Sequence, residues 1–139
     1  KQEGARLLCG GARDTEGEKS KGFFIQPTIF SDVAPHMKIA RDEIFGPVLS
    51  VMRFDEPEEA VKVANGTVYG LAAAVWTRDV SLAHRLAKEI RAGSVWVNTY
   101  NGFDSASPFG GYKQSGFGRD LGAYALEQYT NVKSVWVAL

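Results

Sequence analysis

The sequence predicts an α/β fold, because three short apolar strands alternate with two amphipathic helices. The strands are predicted over residues 47–54, 71–76 and 94–97, and the helices over residues 56–64 and 79–93. This strand-helix-strand-helix-strand order is typical of a parallel sheet covered on both faces. Since ligands bind beyond the carboxyl ends of such strands, the loop after Val97 is where we expect a site.

Length and composition indicate one globular domain. The 139 residues are 45% hydrophobic and 23% charged, and sixteen basic residues balance sixteen acidic ones. Without a Lys/Arg cluster, neither nucleic acid nor an anionic membrane is an expected partner. No apolar run approaches the roughly 20 residues of a membrane span, and no signal segment opens the chain. A soluble, cytoplasmic protein is the expectation.

The segments before the core are shorter. Residues 14–21 are charged and aperiodic and predict an exposed loop, whereas residues 23–29 predict a strand in which Pro27 indicates an edge or a bulge. Residues 35–42 have room for one or two helical turns.

Capping signals set the bounds of the two helices. Asp55 is a candidate N-cap, with Pro57 inside the first turn and Glu58 in a capping-box position. The pair at 65–66, Asn-Gly, is a stop signal. Asp79 is the candidate cap of the second helix, whose apolar residues recur at helical spacing: Val80, Ala83, Ala87 and Ile90.

The end of the chain differs in character. Residues 121–129 can form a helix, and residues 132–139 are strand-like and end in five apolar residues. A strand that is apolar on both faces needs cover, either from its own chain or from another subunit. We therefore divide the chain into residues 1–120 and residues 121–139, a helix with an assembly strand.

Two features admit a catalytic or a structural interpretation. Cys9 follows Leu7-Leu8 and precedes Gly10-Gly11, which favours a structural residue at the end of a buried strand over a nucleophile. One Cys and two His residues are too few soft ligands for a zinc site. The glycine-rich run after Phe109 lacks the GxGxxG spacing, so close backbone approach is favoured over phosphate binding.

Four residues are candidates for ligand contact. Glu43 can accept hydrogen bonds from sugar hydroxyls while Phe45 offers a flat wall to a ring, or they are a surface acid and a core aromatic. Phe103 and Phe109 either line an apolar pocket or belong to the core. The residues alone leave both alternatives open.

Six blocks of sequence resemble the NAD(P)-dependent aldehyde dehydrogenases. They occur in the order of that family and cover nearly the whole chain: residues 4–11, 24–28, 43–48, 69–73, 93–98 and 108–116. The resemblance identifies the chain as the C-terminal part of the catalytic domain with its oligomerisation strand.

The resemblance implies specific roles. Glu43 matches the glutamate that holds the nicotinamide-side ribose, and Phe45 the phenylalanine that helps to place the nicotinamide ring. Phe103 and Phe109 match aromatic walls around the aldehyde. Asn98 matches a residue that shapes the loop. Asp120 stands where many members have a glutamate, and relatives can hold an intersubunit cation through carbonyls near Lys113 and Gly116, although we assign no metal site.

The resemblance also implies what this chain lacks. In the family a cysteine attacks the aldehyde and a glutamate activates water, and both lie in motifs that precede this region. The expected parent oxidises an aldehyde to a carboxylic acid with NAD or NADP and is a homo-oligomer, a dimer or a tetramer. We assign no catalytic residue here and expect the isolated chain to be inactive. The alternative is a non-catalytic assembly module that docks through its C-terminal strand.

Overall fold

The computed structural model describes residues 2–139, which form two compact units. The first unit ends at Glu59 and the second begins at Ala60. The predicted division at residue 120 concerns a longer protein and stays a prediction.

A three-stranded sheet organises the first unit. Its order is β1-β2-β3, with β1 antiparallel and β3 parallel to the central strand. The strands and the short α-helix between β2 and β3 are β1 Arg6–Cys9, β2 Thr28–Ser31, α1 Lys38–Arg41 and β3 Val48–Ser50. Ala5, Val33 and Met37 form the buried core of this unit.

Two small sheets organise the second unit. In one, β5 and β6 are parallel and α3 connects them; in the other, β4 and β7 are antiparallel. The elements from α2 onward are α2 Pro57–Asn65, β4 Tyr69–Gly70, β5 Ala72–Val75, α3 Val80–Glu89, β6 Ser94–Val97 and β7 Tyr112–Lys113. Ala83 and Leu86 are the buried residues of α3.

The predicted α/β class is confirmed, but the three predicted strands do not share one sheet. The segment β5-α3-β6 is the predicted parallel strand-helix-strand unit, in register from Ala72↔Ser94 to Val75↔Val97. The first predicted strand is only three residues long and pairs as β3 with β2. The partner of a parallel strand is set by contacts remote in sequence, which local patterns do not encode.

The helix starts lie close to the predicted capping signals, but α3 ends at Glu89 and not near Gly93 as predicted. Asp79 caps α3, since one carboxylate oxygen accepts hydrogen bonds from the backbone N–H groups of Ser81 (2.8 Å) and Leu82 (3.1 Å). At α2 the acid that reaches back is Glu59, which accepts from the Asp55 N–H at 3.1 Å. Both helices begin within one residue of prediction.

The last residues depart from prediction. The helix expected over 121–129 is a 3₁₀ helix, Ala123–Gln128, preceded by Leu121 and Gly122 at positive φ (62° and 59°). Residues 132–139 are exposed and form no strand among the described residues. The predicted loop at 14–21 likewise contains a 3₁₀ turn, Gly17–Lys21. No helix within residues 2–139 has the length and apolarity to cross a bilayer.

Candidate functional site

A cavity of about 500 Å³ lies beside β6 and the loop that follows it. Its wall includes Trp96, Phe103, Asp104, Pro108 and Phe109. Three aromatic rings, together with polar groups such as the Asp104 carboxylate, line this volume, a combination typical of a small-molecule site. The cavity lies in the loop where the sequence predicted a site.

Four aromatic rings contact one another edge to face, and we call them the aromatic cluster: Trp96, Tyr100, Phe103 and Phe109. All of them except Tyr100 line the cavity. The centroid of Trp96 is 5.3 Å from that of Tyr100 and 5.7 Å from that of Phe103. Phe103 in turn lies 5.1 Å from Phe109, with an interplanar angle of 81°. Such pairs hold each ring at a defined angle. The structure thus brings the two predicted pocket residues, Phe103 and Phe109, into direct contact.

Hydrogen bonds fix both ends of the loop. At the start, the Trp96 indole N–H donates to the Gly102 carbonyl oxygen at 2.8 Å. At the end, the backbones of Phe109 and Asp120 form a reciprocal pair of hydrogen bonds, each 2.7 Å long. Asp120, whose role the resemblance left in doubt, thus contributes its backbone to the closure of the loop.

Asn98 holds the first turn of the loop in shape. Its side-chain oxygen accepts from the Thr77 N–H at 2.9 Å, and its side-chain NH₂ donates to the Thr77 carbonyl at 2.8 Å. Asn98 has φ +54°, a conformation that Asn tolerates better than most residues. Thr77 continues the network, because its hydroxyl accepts from the N–H of Asp79, the α3 cap. This geometry supports the loop-shaping role that the resemblance implies.

Sequence reasoning missed Thr77 and the bond from Trp96 to Gly102. A signal for the latter exists, since Trp96 alternates with two valines along β6 and a half-buried indole N–H needs an acceptor. Its acceptor could not be named without the path of the loop.

Glu43 and Phe45 lie in the first unit, on the exposed loop between α1 and β3. Phe45 is 92% exposed and has φ +53°, an unusual conformation for an aromatic residue. Glu43 is exposed, and within residues 2–139 its carboxylate has no hydrogen-bond or ion-pair partner. Flanking bonds hold the loop: the Thr28 N–H donates to the Pro47 carbonyl at 2.8 Å, and the Ser50 hydroxyl to the Ile39 carbonyl at 2.9 Å.

Cys9 ends β1 as predicted but is exposed, so the expectation of a buried residue is wrong. Its Sγ lies 3.8 Å from the Pro27 carbonyl oxygen. β1 is an edge strand of a three-stranded sheet, and most of its side chains are exposed to solvent. The apolar residues before Cys9 therefore did not lead to its burial.

The glycine-rich run serves close backbone approach, as its sequence indicated. A Cβ on Gly93 would overlap the Gly110 carbonyl oxygen. Near the possible cation position, the Lys113 ammonium donates to the carbonyl oxygens of Asn65 (3.0 Å) and Thr67 (2.9 Å). Lys113 therefore ties β7 to the end of α2.

Comparison with known proteins decides the family. A sequence model described as the aldehyde dehydrogenase family matches residues 1–135. The chain belongs to the aldehyde dehydrogenase family. It is 54% identical over 137 residues to the mitochondrial aldehyde dehydrogenase of Homo sapiens, which covers 99% of this chain and 26% of that protein. The resemblance stated from the sequence is thereby confirmed.

Solved structures agree with this membership. The aldehyde dehydrogenase KauB from Pseudomonas aeruginosa is 56% identical, with a TM-score of 0.90 over 99% of this chain and 28% of its own. A mutant of the P. syringae indole-3-acetaldehyde dehydrogenase AldA, determined with NAD⁺ and IAA, is 54% identical with the same TM-score and the same coverage. The chain therefore spans about a quarter of the length of the relatives it matches.

Proposed function

We propose that this chain is part of an enzyme that oxidises an aldehyde to a carboxylic acid with NAD or NADP. The observation that carries the proposal is the aromatic-walled cavity after β6, in a chain that belongs to the aldehyde dehydrogenase family. Phe103 and Phe109 form a wall of the aldehyde pocket, and Glu43 and Phe45 position the nicotinamide half of the coenzyme. The predicted cytoplasmic location stays a prediction.

The exposed pair fits the nicotinamide half of the coenzyme. The Glu43 carboxylate has free acceptor oxygens for the two hydroxyls of a ribose, and charge-assisted hydrogen bonds of this kind are among the stronger ones. The Phe45 ring is exposed and offers a planar apolar face. When bound, the coenzyme supplies the acceptor for the hydride that leaves the substrate carbon. Glu43 and Phe45 bind and orient; they neither donate nor accept a proton in the reaction.

The aromatic cluster suits an apolar aldehyde. Between Thr99 and Pro108 the loop has no Lys or Arg to pair with an anionic substrate. Rings held edge to face at 5.1–5.7 Å present carbon edges and faces to the cavity. We infer that hydrophobic or aromatic aldehydes are preferred to charged ones.

Steady-state kinetics of the full-length protein test this function. We expect reduction of NAD⁺ or NADP⁺ with phenylacetaldehyde, and a lower kcat/KM with a charged aldehyde such as succinic semialdehyde. The isolated 139-residue chain should be inactive, since the family's nucleophile and base lie in motifs outside it. A full-length protein that oxidises no aldehyde with either coenzyme would overturn the proposal, and activity of the isolated chain abolished by Cys9→Ala would overturn the assignment of no catalytic residue.

A second candidate, assembly through the C-terminal segment, rests on a different observation. Val135, Trp136 and Val137 are all at least 75% exposed, although apolar. We infer that residues 132–139 pair with another subunit in a homo-oligomer. The double variant Val135→Lys/Val137→Lys should reduce the mass of the oligomer measured by light scattering. Lys133→Gln, a control in the same segment, should leave that mass unchanged. An unchanged mass for the double variant would refute this role.

A further inference from the structure

Trp96 stands on the most regular part of the second unit. It is the third residue of β6 and pairs with Ala74 of β5, in the middle of a continuous parallel register. Successive side chains of a strand point to opposite faces, so Trp96 lies on the face opposite Val95 and Val97. Its Cα is therefore fixed by the sheet, and its side chain extends from a rigid element toward the loop.

Besides its contact with Tyr100, the Trp96 side chain contacts the loop at two adjacent residues. The indole N–H of Trp96 donates to the carbonyl oxygen of Gly102 at 2.8 Å, and the indole ring meets the ring of Phe103 at 5.7 Å and 87°. The first contact fixes the peptide group that precedes Phe103, and the second fixes the ring itself. Phe103 then passes this constraint to Phe109 through their own edge-to-face contact.

The loop has little else to hold it at this point. In the described part of the chain, the backbone groups of residues 99–103 make no hydrogen bond to another backbone group, since the nearest such bonds are Asn98 N–H to Val75 and Ser107 N–H to Asp104. Loops without backbone pairing open at low cost in free energy. The position of Phe103 therefore depends on Trp96.

We propose that Trp96 is a positioning residue that sets the width of the aldehyde pocket by fixing Gly102 and Phe103. The inference rests on the proposed function and adds a determinant of substrate preference. Trp96 acts through Phe103: its N–H is used by the Gly102 carbonyl and is not available to the substrate. A wider, looser pocket should bind a ring-bearing aldehyde less well while still admitting a small one.

The test is Trp96→Phe in the full-length enzyme, because this change keeps a ring beside Phe103 and removes the N–H donor. We expect KM for phenylacetaldehyde to rise roughly fivefold to tenfold, the equivalent of one lost hydrogen bond, with a smaller change in kcat. The ratio of kcat/KM for phenylacetaldehyde over acetaldehyde should fall, and KM for the coenzyme should stay within twofold. Trp76→Phe is the matched control, since Trp76 follows β5, is 64% exposed and takes part in none of the ring-to-ring contacts found among residues 2–139.

A second measurement reports on the loop directly. Amide hydrogen exchange of residues 99–103 should be faster in Trp96→Phe than in Trp76→Phe. If Trp96→Phe does not fold, replacement of Trp96 by its benzothiophene isostere, which keeps the size and removes only the N–H, gives the same test. If Trp96 had only a structural role, its substitution would lower the stability of the protein and would lower kcat/KM for both aldehydes by the same factor.

The outcomes separate this inference from the proposed function. A wild-type enzyme that oxidises aldehydes, with an unchanged preference ratio in Trp96→Phe or its isostere, overturns the role of Trp96 and leaves the function standing. A wild-type protein that oxidises no aldehyde overturns both. Faster exchange together with a lower preference ratio supports the proposal.

Discussion

The pocket loop, residues 98–109, and the loop that carries Glu43 and Phe45 are built in opposite ways. In the pocket loop the aromatic rings contact one another, and side chains such as Trp96 and Asn98 bind the backbone. In the other loop, bonds to the flanking backbone fix the ends, while Glu43 and Phe45 are exposed.

This difference indicates two ways of preparing a binding site. The pocket loop is preorganised, so the position of each wall residue depends on its neighbours, and a change anywhere in the cluster affects both stability and selectivity. In the Glu43 loop the side chains of Glu43 and Phe45 are exposed to solvent, so a substitution there should affect ligand binding with little effect on stability. The predictions that follow test this contrast.

The largest effect is expected next to the pocket loop, where the backbone at Gly93 leaves no room for a side chain. In Gly93→Ala the new Cβ would overlap the Gly110 carbonyl oxygen, which would push the backbone after Phe109 away from β6. We expect the free energy of unfolding to fall by about 3 kcal/mol, measured by chemical denaturation of the full-length protein.

Gly102→Ala is the control for this change. Nothing lies within 4 Å of a Cβ built at Gly102, and its φ is outside the left-handed region. Equal stability of the two variants would contradict the close approach of β6 and Gly110.

Asn98→Asp should have the next largest effect. The substitution replaces the NH₂ that donates to the Thr77 carbonyl with an acceptor oxygen, so two acceptors would face each other. We expect a loss of about 2 kcal/mol of stability by thermal or chemical unfolding. Asn101→Asp is a matched control, because Asn101 lies in the same loop at φ +60° and is exposed. The prediction fails if both variants unfold alike.

Substitution of Asp14, which lies outside both loops, should have the smallest effect on stability. The Lys19 ammonium donates to its carboxylate at 2.7 Å, and this bond, with the Glu16 N–H, lowers the pKa of Asp14 below its ordinary value of 3.8. Because the folded-state pKa is lowered, the stabilisation is present above the unfolded pKa and is lost as the pH falls through the folded one. Asp14→Asn should remove this acid dependence from the unfolding curve, as should Lys19→Gln. If the wild type and both variants unfolded in acid at the same pH, the stabilising ion pair between Asp14 and Lys19 would be refuted.

Local signals predicted the β5-α3-β6 segment of the second unit well, but not the residues after 120. The cap at Asp79, the spacing of apolar residues in α3 and the apolar runs around it are all encoded within a few residues, and the β5-α3-β6 unit follows from them. The partner of β3 is encoded in contacts far apart along the chain, and the sequence pattern placed it in the wrong sheet. The exposure of Cys9 was missed for a similar reason, since burial depends on what covers an edge strand.

For the candidate site, residue types could be predicted but their mutual contacts could not. The residues alone left Phe103 and Phe109 either in a pocket or in the core, and the structure shows both in the wall of the cavity. The bond from Trp96 to Gly102 depends on the path of a loop with no regular structure. For Glu43 and Phe45 the residues alone left a ligand-contact and a structural interpretation open, and only the resemblance implied specific roles.

The most direct test of the account compares Glu43→Gln with Phe103→Leu in the full-length enzyme, with KM measured for both coenzyme and phenylacetaldehyde. Glu43→Gln should raise KM for the coenzyme roughly tenfold and leave KM for the aldehyde nearly unchanged, because an amide oxygen accepts a weaker hydrogen bond than a carboxylate. Phe103→Leu should raise KM for phenylacetaldehyde and leave KM for the coenzyme nearly unchanged. If both variants shifted the same constant, or if neither shifted any, the division of this chain into a coenzyme-binding loop and an aldehyde-binding loop would be contradicted.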